Sequence, residues 1–122
     1  MKILVADDEK EFTAFLEERL TGQGHQVDVA ADGARALELL KTNKYDIAFV
    51  DHNMPELTGL ELAKIAKASN IKAKIIMVTG YEHMSGSFAK VVGVDEYMTK
   101  PVKIQDIDDV IKKYNTTGGG NG

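Results

Sequence analysis

The chain has 122 residues, 43% of them hydrophobic and 28% charged, with a net charge of −4 and no cysteine. That length supports one domain with a real core, while the acidic balance disfavours non-specific binding to nucleic acid or anionic membrane. The missing cysteines exclude a disulfide framework and thiolate chemistry, and no apolar run approaches the roughly 18 residues of a membrane span.

The N-terminus, Met1-Lys2-Ile3-Leu4-Val5, turns acidic at once and lacks the long apolar stretch of a signal peptide, so a cytoplasmic protein is expected. Residues 2–6 read as a buried strand. Glu9 to Thr21 has Phe12, Phe15, Leu16 and Leu20 at helical spacing, and Gly22 and Gly24 stop that helix. Val27 to Ala30 alternates polar with apolar, as a half-exposed strand does. Asp32 is placed to cap a helix carrying Ala34, Leu37 and Leu40 inward. Ile47 to Val50 reads as the central strand, and Gly59 to Ala68 as a helix packed through Leu60, Ala63, Ile65 and Ala66. Lys74 to Val78 is the fourth strand and Val94 to Met98 the fifth. Between them His83 to Val92 forms a poor helix, with Gly86, two serines and adjacent valines. Ile104 to Tyr114 is the last helix, with Ile104, Ile107, Ile111 and Tyr114 on its stripe.

Strands alternating with helices in tandem imply an α/β fold: a parallel sheet covered on both faces. Right-handed crossovers make it doubly wound, and the common order for this size is 2-1-3-4-5, the five-stranded flavodoxin-like (βα)5 arrangement. In that order the first, third, fourth and fifth strands are successive neighbours. Asp7, Asp8, Asp51, Thr79 and Lys100 then stand on one rim although they are far apart in sequence.

Three crowded carboxylates must take up protons or attract a cation, because Lys100 leaves about −2 by simple counting. Oxygen donors without His or Cys favour a hard divalent ion, Mg²⁺ with Mn²⁺ as the alternative. The candidate ligands are the Asp8 and Asp51 side chains and the backbone carbonyl of Asn53, with Asp7 acting through a bound water. A carboxylate accepts phosphoryl groups as an acyl phosphate, and phosphoryl transfer is catalysed mostly by positioning and charge stabilisation. Asp51 is the candidate acceptor. Lys100, a compact point charge, and the Thr79 hydroxyl are candidates to hold phosphoryl oxygens.

Five motifs carry a family resemblance: Leu4-Val5-Ala6-Asp7-Asp8-Glu9, Asp51 before Asn53-Met54-Pro55, Thr58-Gly59-Leu60-Glu61-Leu62, Thr79-Gly80 and Lys100-Pro101. Together, over residues 1 to about 114, they resemble the receiver domain of two-component response regulators, of the chemotaxis-regulator kind. The resemblance implies a phosphorelay signalling module, not an enzyme acting on a separate substrate. Asp51 would accept phosphate from a sensor histidine kinase or a histidine phosphotransfer protein. It implies that Lys100-Pro101 is a cis peptide. It also implies that Thr79 and Tyr97 are switch residues, coupling Asp51 to the surface of the fourth helix, fifth strand and fifth helix. The kinase would dock on the first helix near Lys10, Glu11 and Ala14 and on the loop after the fifth strand. Asn53 and Tyr81 stand where receivers vary, and a bulky Tyr81 would screen the attacking water.

Other classes fit less well. An aspartyl-phosphate phosphatase opens a DxD pair on its first strand, whereas Lys10 stands two residues after Asp8. In a flavin module the acidic run Asp7-Asp8-Glu9 would repel the ligand's phosphate. An unphosphorylated interaction module would not need the full set of rim residues. His25, His52 and His83 show no ligand spacing. Residues 1–115 are thus expected to form the receiver, and 116–122 a flexible tail, a linker or a remnant of cloning. No segment reads as an output domain or a nucleic-acid-binding motif.

Overall fold

The computed structural model describes residues 1–80 and 93–119, with side chains through 115. Its elements run β1 (Lys2–Ala6), α1 (Lys10–Gly22), β2 (Gln26–Ala30), α2 (Gly33–Thr42), β3 (Ile47–Asp51), α3 (Gly59–Ala68), β4 (Lys74–Thr79), β5 (Glu96–Thr99) and a C-terminal helix (Ile104–Gly119). The five strands form one sheet in the order β2-β1-β3-β4-β5, and every neighbouring pair is parallel. This is the doubly wound arrangement expected from the alternating pattern. The helix expected at His83 to Val92 lies outside the described residues.

Strand side chains alternate between two packed layers, as the pleat requires. Leu4, Ala6, Ala48, Val50, Ile75 and Met77 face one layer, closed by Ala36 and Leu40 of α2 and by Leu62, Ala63 and Ala66 of α3. Ile3, Val5, Ile47, Phe49, Ile76 and Val78 face the other, closed by Leu16 and Leu20 of α1 and by Ile107, Val110 and Ile111 of the C-terminal helix. Central strands buried on both faces account for the continuous apolar runs in the sequence.

Helix ends follow their capping chemistry. The Arg35 N–H donates to the Asp32 carboxylate at 2.8 Å. Thr58 and Glu61 form a reciprocal capping box at the start of α3. After α1, Gly24 takes a φ of 92°, a left-handed conformation suited to glycine.

Several packing expectations are corrected. Ala34 is exposed and Ala36 is buried in its place, because Ala34 lies about half a turn from the Ala36–Leu40 stripe. Phe15 is 40% exposed, while Thr13, Leu16 and Leu20 form the buried face of α1 and Phe12 is half-buried. In α3, Leu60 packs against the core as expected, beside buried Ala63 and Ala66, but the fully buried Leu62 lies outside the expected set and Ile65 is only half-buried. The fifth strand begins at Glu96, with Val94 already buried in the core ahead of it. The last helix continues past Tyr114 to Gly119, backbone hydrogen bonds propagating from a nucleated helix although Thr116, Thr117, Gly118 and Gly119 are poor helix formers.

Candidate functional site

The C-terminal ends of β1, β3 and β4 bring the rim residues together. Asp7 follows β1, and its N–H donates to the Ala30 carbonyl at 3.0 Å. Asp51 is the last residue of β3 and Thr79 the last of β4. Asp7, Asp51 and Thr79 are 2%, 5% and 0% exposed, and the neighbouring Asp8 is open to solvent. One carboxylate oxygen from each of Asp7, Asp8 and Asp51 lies within 4.8 Å of the others. Three hard oxygen donors at that spacing, two buried and one facing water, suit a partly hydrated divalent cation.

Lys100 enters from the far side of the sheet. Its N–H donates to the Thr79 carbonyl at 2.8 Å, and the Lys100-Pro101 bond is cis. The ammonium donates to Asp7 at 2.8 Å and also to Glu9, and it lies 4.0 Å from Asp51. The Phe12 ring stands beneath it, 4.7 Å from the ring centre. Burial alone would drive the Lys100 ammonium down, but its bonds to Asp7 and Glu9 and the charge of Asp51 outweigh this and hold it above the ordinary lysine value. Burial and then the charge of Asp7 push the Asp51 carboxyl up to about 6, against the opposing pull of Lys100 and the Asn53 N–H. Ionising Asp51 is therefore costly in this setting, and a bound cation would relieve that cost.

Tight packing fixes the loop after Asp51. The Gly59 N–H donates to the His52 carbonyl at 3.0 Å, closing the loop onto the end of β3. A Cβ at Gly59 would fall 2.7 Å from the Asp51 carbonyl oxygen and 2.8 Å from the Met77 sulfur. From the other side the Gly33 N–H donates to the Pro55 carbonyl at 3.3 Å, and a Cβ at Gly33 would meet the Leu57 carbonyl oxygen at 2.2 Å. Met54 is buried beneath the loop and Asn53 is exposed on it.

Tyr97 pairs with Met77 in the β4–β5 register, beside the pair Thr79–Thr99, and packs half-buried on the same layer as Met77. Lys10, Glu11 and Ala14 are exposed on α1. His25 bonds the N-terminal amine at 3.0 Å. Burial lowers the pKa of half-buried His52, with Glu61 nearby opposing that shift. Tyr81 and His83 lie outside the described residues. Sequence reading missed the contacts of Glu9 and Phe12 with Lys100 and the close packing at Gly33 and Gly59. Glu9 stood in the acidic run and Phe12 in the apolar stripe, and neither pattern signals a lysine distant in sequence.

The family model for the response regulator receiver domain matches residues 3–112. The chain belongs to this family. The alkaline phosphatase synthesis transcriptional regulatory protein PhoP of Bacillus subtilis is 34% identical over 115 residues, covering 91% of this chain and 47% of that protein. The chain thus spans about half the length of the curated relatives it matches. Among solved structures, the receiver domain of the Francisella response regulator 1452 superposes with a TM-score of 0.84 at 34% identity, covering 99% of this chain and 98% of that one. The response regulator TrrA of Thermotoga maritima, solved in complex with Mg²⁺ and BeF, gives a TM-score of 0.83 at 33% identity, covering 93% and 97%. Among the described residues, no helix is long and apolar enough to cross a membrane.

Proposed function

We propose that this receiver takes a phosphoryl group onto Asp51 from a phosphohistidine, carried by a sensor histidine kinase or a histidine phosphotransfer protein. The observation that carries the reading is the buried Asp51 carboxylate, grouped with those of Asp7 and Asp8 and 4.0 Å from the Lys100 ammonium. One Asp51 oxygen attacks phosphorus. A P–O bond forms as the P–N bond breaks, and the imidazole nitrogen keeps the bonding pair and takes a proton from solvent. Asp7, Asp8, Asp51 and the Asn53 carbonyl would hold Mg²⁺, or Mn²⁺, which when bound supplies positive charge to the transferring oxygens. Lys100 and the Thr79 hydroxyl are assigned to the remaining phosphoryl oxygens.

The added charge of about −2 then shifts a bistable surface. Thr79 and Tyr97 are assigned as the switch, supported by their nearness in the β4–β5 register. Residues 1–115 act as the receiver and 116–122 as a connecting or terminal segment. The output partner receives the signal from the face that includes β5 and the C-terminal helix.

The test is incubation with acetyl phosphate and Mg²⁺, followed by intact mass. An adduct of about 80 Da, one phosphoryl group, is expected in the wild type and absent from Asp51→Ala. An adduct that survives in Asp51→Ala refutes the assignment. Amide chemical shifts at 80–100 that stay fixed when beryllofluoride and Mg²⁺ are added refute the switch.

A further inference from the structure

The three side chains around the Lys100 ammonium come from one stretch, running from the end of β1 into the first turn of α1. Asp7 bonds it at 2.8 Å, Glu9 bonds it from the first position after the aspartate pair, and Phe12 presents its ring 4.7 Å away. Asp51, at 4.0 Å, is beyond hydrogen-bonding distance. The Glu9 N–H in turn donates to Asp7 at 2.8 Å, which ties the backbone of Glu9 to the carboxylate that shares the lysine with it. The lysine is therefore drawn toward solvent-facing Glu9, away from the strand that carries the acceptor. A lysine that must meet a phosphoryl oxygen on Asp51 has to leave that grip, in whole or in part.

We infer that Glu9 is a positioning residue. It holds Lys100 in a withdrawn place in the unphosphorylated protein, and the strength of its grip sets how readily the ammonium reaches the phosphoryl group. This rests on the reading of Asp51 as the phosphoacceptor and deepens it. The effect should be modest, because the Glu9 side chain is 60% exposed and an exposed ion pair is weak. Glu9→Gln keeps the shape and removes the charge that holds the lysine.

The experiment times formation of the acetyl-phosphate adduct by intact mass in wild type, Glu9→Gln, Lys100→Ala and the double variant. Glu17→Gln, an exposed acidic residue of the same helix outside the Lys100 ion pairs, is the control. The same set is titrated with beryllofluoride and Mg²⁺ by NMR, which completes the cycle where an adduct forms too slowly to time. Glu9→Gln should speed the reaction and lower the beryllofluoride midpoint by about two- to fivefold, the range of an exposed ion pair. The gain should vanish in the Lys100→Ala background. A crystal structure of metal-free Glu9→Gln should show the lysine nearer to Asp51. Glu9→Gln behaving as wild type overturns the inference. So does a gain that persists without Lys100, or an equal gain in Glu17→Gln, since either would reflect net charge alone. A wild-type protein that forms no adduct removes the phosphoacceptor reading and this inference together. A wild-type adduct with an unaltered Glu9→Gln removes the inference alone.

Discussion

Gly59 and Asp51 are packed so closely that no side chain can stand at Gly59: a Cβ there would lie 2.7 Å from the Asp51 carbonyl oxygen. The helix α3 begins at Gly59, where alanine would ordinarily be the better helix former. Two effects therefore oppose each other in Gly59→Ala. Helix propensity favours the substitution by up to about 1 kcal/mol, and overpacking against backbone costs about 1–3 kcal/mol. The clash should win, because backbone cannot rotate away as a flexible side chain can. Urea denaturation should show a lower midpoint, and Mg²⁺ affinity should fall as the end of β3 shifts.

Asp51 gives a pH dependence of definite sign. Its folded pKa, about 6, stands above the ordinary carboxylate value of 3.8. The native state therefore holds an extra proton between those values. The contribution to stability is complete below the ordinary value and is lost as pH rises through about 6. Above that, the ionised carboxylate is a cost in the metal-free protein. Asp51→Asn should then stabilise the metal-free protein at neutral pH by about 1–3 kcal/mol, at about 1.4 kcal/mol per unit of pKa. The gain should shrink at pH 4.5, as read by urea denaturation at both values. Mg²⁺ should compete with the same proton, so calorimetry should show wild-type affinity weakening as pH drops below about 6.

Lys100→Ala should separate cation binding from phosphoryl transfer. The ammonium partly neutralises the Asp7–Asp8–Asp51 group. Removing it should raise Mg²⁺ affinity at least about fivefold, since unit charges near 4 Å interact by about 1 kcal/mol even in water. Phosphorylation by acetyl phosphate should slow in the same variant. Calorimetry and intact mass measure the two effects independently, and a fall in both would mean that the lysine holds the site's shape more than its charge balance.

Thr58 closes the capping box at the head of α3, its hydroxyl accepting from the Glu61 N–H at 3.2 Å. Thr58→Ala should cost about 1 kcal/mol of stability, the usual worth of a helix N-cap. Serine at the same place should restore most of it. Denaturation of the pair of variants checks this, and equal losses in both would assign the effect to the threonine methyl group.

The sheet and its rim were readable because both depend on short patterns. Ile3-Leu4-Val5-Ala6 and Ile47-Ala48-Phe49-Val50 are apolar on both faces, and such runs belong inside a covered parallel sheet. The polar residue closing each run falls at a strand end, so the order of strands alone gathers Asp7, Asp51 and Thr79. Helix faces were less legible. Phe15 looked like core by residue type, yet its azimuth on α1 turns it more than a quarter-turn away from Leu16 and Leu20, and it is 40% exposed. Small residues such as Ala34 and Ala36 carry too little contrast to show which of them points inward. The contacts of Glu9 and Phe12 with Lys100 depend on where a long side chain settles across the sheet edge, and no local pattern records that.

Gly33 gives α2 a role that its own chemistry would not suggest. The helix contributes no carboxylate, hydroxyl or amine to the rim, yet its first residue is the shelf on which the Pro55–Leu57 segment rests. Outside its core residues Ala36 and Leu40, α2 reaches the distant chemistry through that one hydrogen-sized side chain. A mutational survey confined to ligands and acceptor would pass over a position whose enlargement by a single methyl group lifts the whole turn off its foundation.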